Sequence, residues 1–411
     1  MEIKIGLLGF GTVGVGVYEL LQKNAAKITQ LSGTTITVEK ILVHNKEKHQ
    51  AAIESGLPIT DQFADILHDD SIQLVVEVMG SKDVAKDYLT RSLEAGKNVI
   101  TANKDVLALH LEELTNLARK KKRDFLFEAS VAGGIPVIRA LTDSYVGDQI
   151  TEVLGIVNGT TNFMLTRMDE EKESYEDALS LAQELGYAES DPSGDVEGYD
   201  AARKMVVLTK LAFGHTVDLA DLEIRGISML DSLDFSVAAE QGYTIKLVGR
   251  AKVKGANVVV EVAPMFVALS HPFTTVKNEF NGVCIIGEAV GETMFYGSGA
   301  GRMTTANSVV SDIVTIAKNI RTNHTGNQQL YTSHSYQTGN PLEEECDAVI
   351  RVRGTKMEIE TFVNSLSKKG EAAIVWTEET GLSYIKAVGV KPSDFSLPGS
   401  LEIEAVFKTI Q

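Results

Sequence analysis

Residues Gly186 to Lys204 read GYAESDPSGDVEGYDAARK. Glu189, Asp191, Asp195, Glu197 and Asp200 fall within twelve residues beside three glycines, and Lys204 follows Asp200 by four. Residues at i and i+4 stand one above the other on a helix, so the last pair sets an ammonium over a carboxylate. On a surface such a pair stabilises by only about 0.3–0.5 kcal/mol. In a site it holds an ammonium ready to exchange a proton and leaves the other acids to bind a cationic amine. A calcium loop is excluded, because counting from Asp191 puts Val196 where an EF-hand needs glycine. Asp195 capping a helix, with Glu197 in its first turn, is the alternative for one or two of the acids. That alternative leaves Glu189 and Asp200 unused.

A second group lies at the other end of the chain. Gly9 to Gly14 read GFGTVG, directly after an apolar run and before a helical pattern. In that strand–turn–helix context Gly9 permits the tight turn, Gly11 lets a pyrophosphate approach the backbone, and Gly14 allows close helix packing. The phosphates would sit on the helix N-terminus. The next strand ends HNKEK, with Asn45 where NAD enzymes usually carry an acid and His44, Lys46 and Lys48 nearby. NADP is therefore favoured over NAD, unless the two lysines are solvated loop residues. Lys104 follows the strand run NVITA and points to the crevice outside the strand ends, where open parallel sheets bind ligands.

The elements that must position these residues form two patterns. Up to about residue 135, short apolar runs (Ile3–Phe10, Val38–His44, Leu74–Met79, Asn98–Ala102, Phe125–Ser130) alternate with helical stretches, which predicts a Rossmann-type doubly wound parallel sheet over 1–135. An amphipathic helix at about 304–320 would return to complete it. Residues 136–303 mix strands and helices as an α+β substrate and dimerisation domain. A polar stretch at 321–346 reads as a linker. Residues 347–411 run strand, helix, strand, strand and closing strand, and are expected to form a small ACT-like βαββαβ module.

The chain has 411 residues and a formal charge of −17, from 39 basic and 56 acidic side chains. A field of that sign repels nucleic acid and anionic lipid, so neither is an expected partner. The one basic run, Arg119 to Arg123, suits a helix C-terminus. Cys284 and Cys346, far apart, make neither a disulfide framework nor a thiolate zinc site. The N-terminus opens on a strand with no leader pattern, and no apolar run is long enough for a membrane span, so a cytoplasmic protein is expected. A homodimer or homotetramer is expected, with Val258–Ile286 as its candidate surface.

Together, VITANKDVLA, FEASVAGGIPVIRAL, GIVNGTTNFML and AQELGYAESDPSGDVEGYDAARK, in this order within about residues 1–320, resemble the homoserine dehydrogenase family. The resemblance implies interconversion of L-homoserine and L-aspartate 4-semialdehyde with a nicotinamide cofactor, in the route to threonine, methionine and isoleucine. It implies Lys204 as proton donor and acceptor at the substrate oxygen, with Lys104 close to nicotinamide and substrate. Glu189 and Asp200, with Asp195, would bind homoserine. Gly9, Phe10, Gly11, Thr12, Val13, Gly14, Gly80, Lys104, Gly186 and Gly301 would border the cofactor. The loop EASVAGGI resembles the family's monovalent cation loop, with Glu128, Val131, Gly133 and Ile135 as ligands and sodium as the expected ion. Free lysine, with a pKa of about 10.4, is a poor base. A neighbouring ammonium and an oxidised nicotinamide would lower that value.

Two places depart from the pattern. Thr304 and Asn307 stand where the family has Pro and Ser after the GAG of residues 299–301, and His44-Asn45 stands where many relatives have Arg-Asp. The tail's candidate ligand loop, RVRGTKMEIE, has one glycine, Gly354, and lacks the usual acid and Pro-Gly, so threonine feedback and a purely dimerising tail are both open. The other readings of the whole chain are a different amino-acid dehydrogenase and a non-catalytic NADP sensor.

Overall fold

Strands β1 (Glu2–Leu8), β2 (Thr35–Leu42), β3 (Ile59–Thr60), β4 (Ile72–Glu77), β5 (Asn98–Thr101) and β6 (Phe125–Leu126) arise from the short apolar runs of the first third of the chain. In β1 and β4 both faces are buried, which is why their sequences are continuous apolar runs rather than alternating ones. The computed structural model of the protein describes residues 1–327, 329–333 and 335–411. Gln328 and His334, in the stretch expected to be a linker, lie outside the described residues. The chain divides into two compact units. One comprises Met1–Gly147, Val206–Gly214 and Gly297–Thr332, the other Asp148–Met205, His215–Tyr296 and Ser333–Gln411.

In the first unit the six strands run parallel in the order β3-β2-β1-β4-β5-β6. This is the doubly wound order, and it reverses between β1 and β4, the place where such sheets open a crevice for a dinucleotide. One face packs Ile5, Leu7, Ile41 and Val76 against helix residues Val17, Leu21, Val309 and Ile313. The other packs Leu8, Leu42 and Val75 against Phe63 and Ile66. The helix Arg302–Thr322 lies so close to the helix Thr12–Lys23 that a Cβ on Gly16 would come within 2.7 Å of the Arg302 carbonyl oxygen.

The second unit is built on one large sheet. Its strands are β7 (Ile150–Ile156), β8 (Glu223–Ile224), β9 (Tyr243–Lys254), β10 (Asn257–Ala268), β11 (Phe280–Gly287), β12 (Gly291–Ser298), β13 (Gln337–Gly339), β14 (Cys346–Arg353), β15 (Glu371–Thr377), β16 (Leu382–Val390) and β17 (Glu402–Ile410). The main path is β12-β11-β7-β9-β10-β17-β14-β16-β15, with β8 and β13 also pairing β10. Within the stretch Val258–Ile286, every residue of β10 after Asn257 is buried within the chain, so only Leu269–Ile286 presents exposed side chains there.

The tail differs from the βαββαβ expectation. Its four strands take the order fourth, first, third, second, but only one α-helix, Lys356–Leu366, accompanies them. The second helix is replaced by the short 3₁₀ turn Pro392–Asp394. The segment from Lys391 to Ser400 carries two prolines, and proline withholds the amide donors a helix needs. The loop at Gly354 closes on itself as a capping box, in which the Glu358 carboxylate accepts the Thr355 amide at 2.8 Å. The Ser400 amide also donates to Glu358, at 2.7 Å. These backbone donors bring the Glu358 carboxyl down to about 2. Finally, β17 runs parallel to β10 (Phe266 opposite Thr409), so the tail continues the large sheet of the second unit.

That sheet buries a lysine. Lys246 on β9 donates to the Val276 carbonyl at 2.7 Å and to Asn162 Oδ1 at 3.2 Å. Burial lowers its pKa to about 8. A depressed folded value means stability that is full above the unfolded pKa near 10.5 and lost as pH falls through about 8. Wild type should therefore gain about 2–3 kcal/mol relative to Lys246→Met between pH 7.5 and 10. Urea unfolding of both proteins at the two pH values checks this, and a pH-independent difference would refute it.

Candidate active site

Asn158 follows β7 and caps the helix Gly159–Glu170. Its Oδ1 accepts the Thr161 amide at 2.8 Å and the Thr161 hydroxyl at 2.9 Å. With Oδ1 so engaged, the amide nitrogen turns to the acids. It donates to Asp195 Oδ1 at 2.7 Å and to Asp200 Oδ2 at 2.8 Å. Asp200 opens the helix Tyr199–Phe213, and one turn on Lys204 Nζ donates to the same Oδ2 at 2.7 Å and to the Val157 carbonyl at 2.5 Å. The side chains of Lys204 and Asp200 are only 12% and 5% exposed, so this is no surface ion pair. Low solvent access strengthens each of these charge-assisted bonds.

The other acids part from this group. Asp195 does not cap the long helix. It lies inside the short helix Ser193–Val196, with Gly198 between it and Tyr199. Asp191 accepts the Ser193 amide at 3.1 Å, a local turn whose hydrogen bonds hold its carboxyl below the usual range. Glu189 is exposed on the loop, which Gln183 ties down by donating to its carbonyl at 3.0 Å. Gly186, at φ +77°, ends the turn after the helix Tyr175–Glu184. Asn158 had no role in the sequence reading. The available signal was an N-cap residue type opening the motif NGTTN, whose amide has a second end to spend.

The nucleotide loop lies in the other unit. Gly9 has φ +102°, and a Cβ there would stand 2.9 Å from the Val78 carbonyl oxygen. A Cβ on Gly14 would stand 2.2 Å from the Gly9 carbonyl oxygen, whereas one on Gly11 would meet nothing within 4 Å. The turn is thus closed on its protein side and open at Gly11, the N-cap of the helix Thr12–Lys23. Phe10 packs edge-on against Tyr18 and His49, while Thr12 and Val13 begin the helix. Gly80 follows β4, with open space where a Cβ would be. Asn103 caps the next helix by accepting the Asp105 and Val106 amides, each at 3.2 Å, and Lys104 is that helix's first residue. Gly301 caps the helix Arg302–Thr322, where the Thr304 hydroxyl donates to the Ala300 carbonyl at 2.9 Å in place of the family's proline. At the end of β2, Asn45 Oδ1 accepts the Glu47 amide at 2.8 Å, and Lys46 pairs with Asp61 at 2.8 Å on the surface.

The candidate cation loop is in this unit too. Glu128, Val131 and Ile135 are buried, and a Cβ on Gly133 would stand 2.4 Å from the Gly299 carbonyl oxygen. The Glu128 carboxylate accepts the Ile138 and Arg139 amides at 3.0 and 2.8 Å, and the Gly133 carbonyl accepts the Ser308 hydroxyl at 2.7 Å. Backbone carbonyls are therefore the donors this loop can bring to a hard cation. Among the described residues no group of three His, Cys, Asp or Glu side chains could hold a metal ion. Nor is any helix long and apolar enough to cross a membrane.

Comparison with known proteins joins the two regions. The family model for homoserine dehydrogenase matches residues 136–314, and that for the homoserine dehydrogenase NAD binding domain matches residues 9–128. Homoserine dehydrogenase of Bacillus subtilis (strain 168) is 44% identical over 375 residues, covering 90% of this chain and 86% of the relative. The crystal structure of a homoserine dehydrogenase from Thiobacillus denitrificans superposes with a TM-score of 0.89 at 30% identity, covering 100% of this chain and 98% of that one. A hyperthermophilic archaeal homoserine dehydrogenase solved in complex with NADPH gives a TM-score of 0.66 at 27% identity over 77% of this chain and 98% of that one. With a Rossmann unit matched as a nicotinamide-cofactor domain and the Asp200–Lys204 stretch inside the other match, the chain belongs to the homoserine dehydrogenase family.

Proposed function

We propose that Lys204 is the acid–base group of the homoserine dehydrogenase reaction in this chain, that Asp200, Asp195 and Glu189 receive the substrate's ammonium, and that NADP is the preferred coenzyme. The observation that carries this is the buried Asn158–Asp195–Asp200–Lys204 network. The Asn158 amide ties Asp195 to Asp200, and Asp200 holds the Lys204 ammonium one helical turn away. In the oxidative direction Lys204 in its neutral amine form takes the hydroxyl proton of homoserine as the carbinol carbon loses hydride, and in the reductive direction its ammonium returns a proton to the aldehyde oxygen. The bound nicotinamide supplies only the hydride acceptor or donor. Gly9 to Gly14 and Gly80 would hold the coenzyme, Gly186 and Gly301 would border it, and Lys104 would stand beside it as a second ammonium. The absence of any acid in Val43-His44-Asn45 at the end of β2 supports NADP.

The carbonyls of Glu128, Val131, Gly133 and Ile135 would hold a monovalent cation, sodium by size and hardness, that steadies the loop. A cytoplasmic homodimer or homotetramer completes the reading. The sheet's terminal strand β12, which leaves Tyr296 exposed, offers an edge for it.

The test is nicotinamide absorbance during oxidation of L-homoserine, with NADP and NAD in parallel and L-aspartate as control. Turnover with homoserine alone, faster with NADP, is expected. Bound NADPH without turnover on homoserine would favour a non-catalytic sensor.

A further inference from the structure

Glu77 ends β4, and none of its surface is exposed. Its Oε1 accepts the Met79 amide at 2.7 Å, and its Oε2 accepts the Thr101 hydroxyl, across the sheet on β5, at 2.5 Å. Thr101 Oγ1 in turn accepts the Asn103 amide at 3.0 Å, and Asn103 caps the helix that Lys104 begins. Asn103 Nδ2 reaches back to the Ser81 carbonyl at 3.4 Å. One buried carboxylate thus joins the turn after β4, which holds Gly80, to the turn after β5, which holds Lys104. Both turns lie at the carboxyl ends of strands in the dinucleotide-binding sheet, where the backbone tie is the Ala102 amide donating to the Glu77 carbonyl at 3.1 Å.

Burial is costly for a carboxyl and pushes its pKa upward, while Thr101, the Met79 and Gly80 amides and Asn103 favour the charged form. Both oxygens accept, so glutamine, with an NH2 in place of one of them, cannot satisfy all of these donors. A wholly buried carboxyl ringed by donors is costly to keep where an apolar residue would fill the space.

We infer that Glu77 is a positioning residue, a clamp that sets the Met79–Gly80 turn and the Asn103–Lys104 helix start in the arrangement that receives the dinucleotide. This rests on the cofactor reading above. Glu77→Gln should weaken NADPH binding about tenfold in a fluorescence titration, the scale of one lost charge-assisted hydrogen bond, and leave the KM for homoserine within about twofold. Hydrogen exchange on the apo chain should quicken at Met79–Ser81 and Asn103–Val106 while β1 stays protected. Thr101→Val should have the same effects, and the double variant should lose no more than the worse single one. NADPH affinity within twofold of wild type in both single variants would overturn the clamp. So would equal losses for NADPH and homoserine, which would mean general damage. If wild type bound NADPH but did not oxidise homoserine, the reaction would fail while the clamp could still be read from binding and exchange.

Discussion

Lys204→Ala should oxidise L-homoserine at least two orders of magnitude more slowly than wild type while binding NADPH with nearly unchanged affinity. A positioned acid–base group contributes about 10²–10⁴ in rate, equivalent to about 3–5 kcal/mol of barrier. The structure explains why another group cannot take over. The ammonium is held by Asp200 and the Val157 carbonyl, acceptors from two different elements, and is screened from water. Lys204→Arg separates the proton-transfer role from the electrostatic one. It keeps the positive charge beside Asp200, but guanidinium does not release a proton at accessible pH. It should therefore fold, bind NADPH and remain about as slow as the alanine variant. Turnover within tenfold of wild type for Lys204→Arg would reduce Lys204 to a counter-ion for Asp200. NADPH affinity, read by fluorescence, tests whether the loss is local, since the glycine loop belongs to the other compact unit.

What the sequence could reveal here was local. The turn at Gly9–Gly14 is specified by residues a few positions apart, and so is the Asp200–Lys204 pair. The parallel sheet follows from short apolar runs spaced by helices, so its doubly wound character is legible before any contact is known. The amide of Asn158 was not, because its partners Asp195 and Asp200 lie 37 and 42 residues away. An asparagine before a helix reads as a cap and nothing more. Glu77 is the single polar letter of the apolar run Leu74–Met79, and only the fold brings Thr101 and the Met79 amide to it. The tail misled for a related reason. Its strand order agrees with the ferredoxin-like plan, and the plan suggests a second helix, whereas the prolines at 392 and 398 forbid a regular one. Nor does any local pattern announce that β17 pairs with β10, since both simply read as apolar strands that accept several partners.

That pairing makes the tail part of the second unit's large sheet, and the charges beneath it determine the second large effect: Arg250→Met should cost about 3–5 kcal/mol of stability, the usual penalty for breaking a buried ion pair from one side. Arg250 on β9 grips Glu344 with two nitrogens, at 2.8 and 3.1 Å, and Glu152 on β7 at 2.6 Å. Glu261 on β10 stands 3.5 Å away and also takes Lys408 of β17 at 2.8 Å. Burial works against the guanidinium's charge, but the three carboxylates more than offset it and hold its pKa above the ordinary value. Without Arg250, Glu344 and Glu152 lose their main partner, and Lys408 alone faces Glu261 and Glu344 in the interior. Because these acids come from β7, β10 and the approach to the tail, the damage should spread across both halves of the sheet. Trp376, the chain's one tryptophan, lies on β15 and reports the tail's unfolding directly. Urea titration followed by its fluorescence should show the Arg250→Met transition at much lower urea, with Arg250→Lys in between because it keeps the charge but loses the two-nitrogen grip. A tail transition within about 1 kcal/mol of wild type would show the cluster to be no stronger than surface pairs, and the tail to stand on β17 pairing alone.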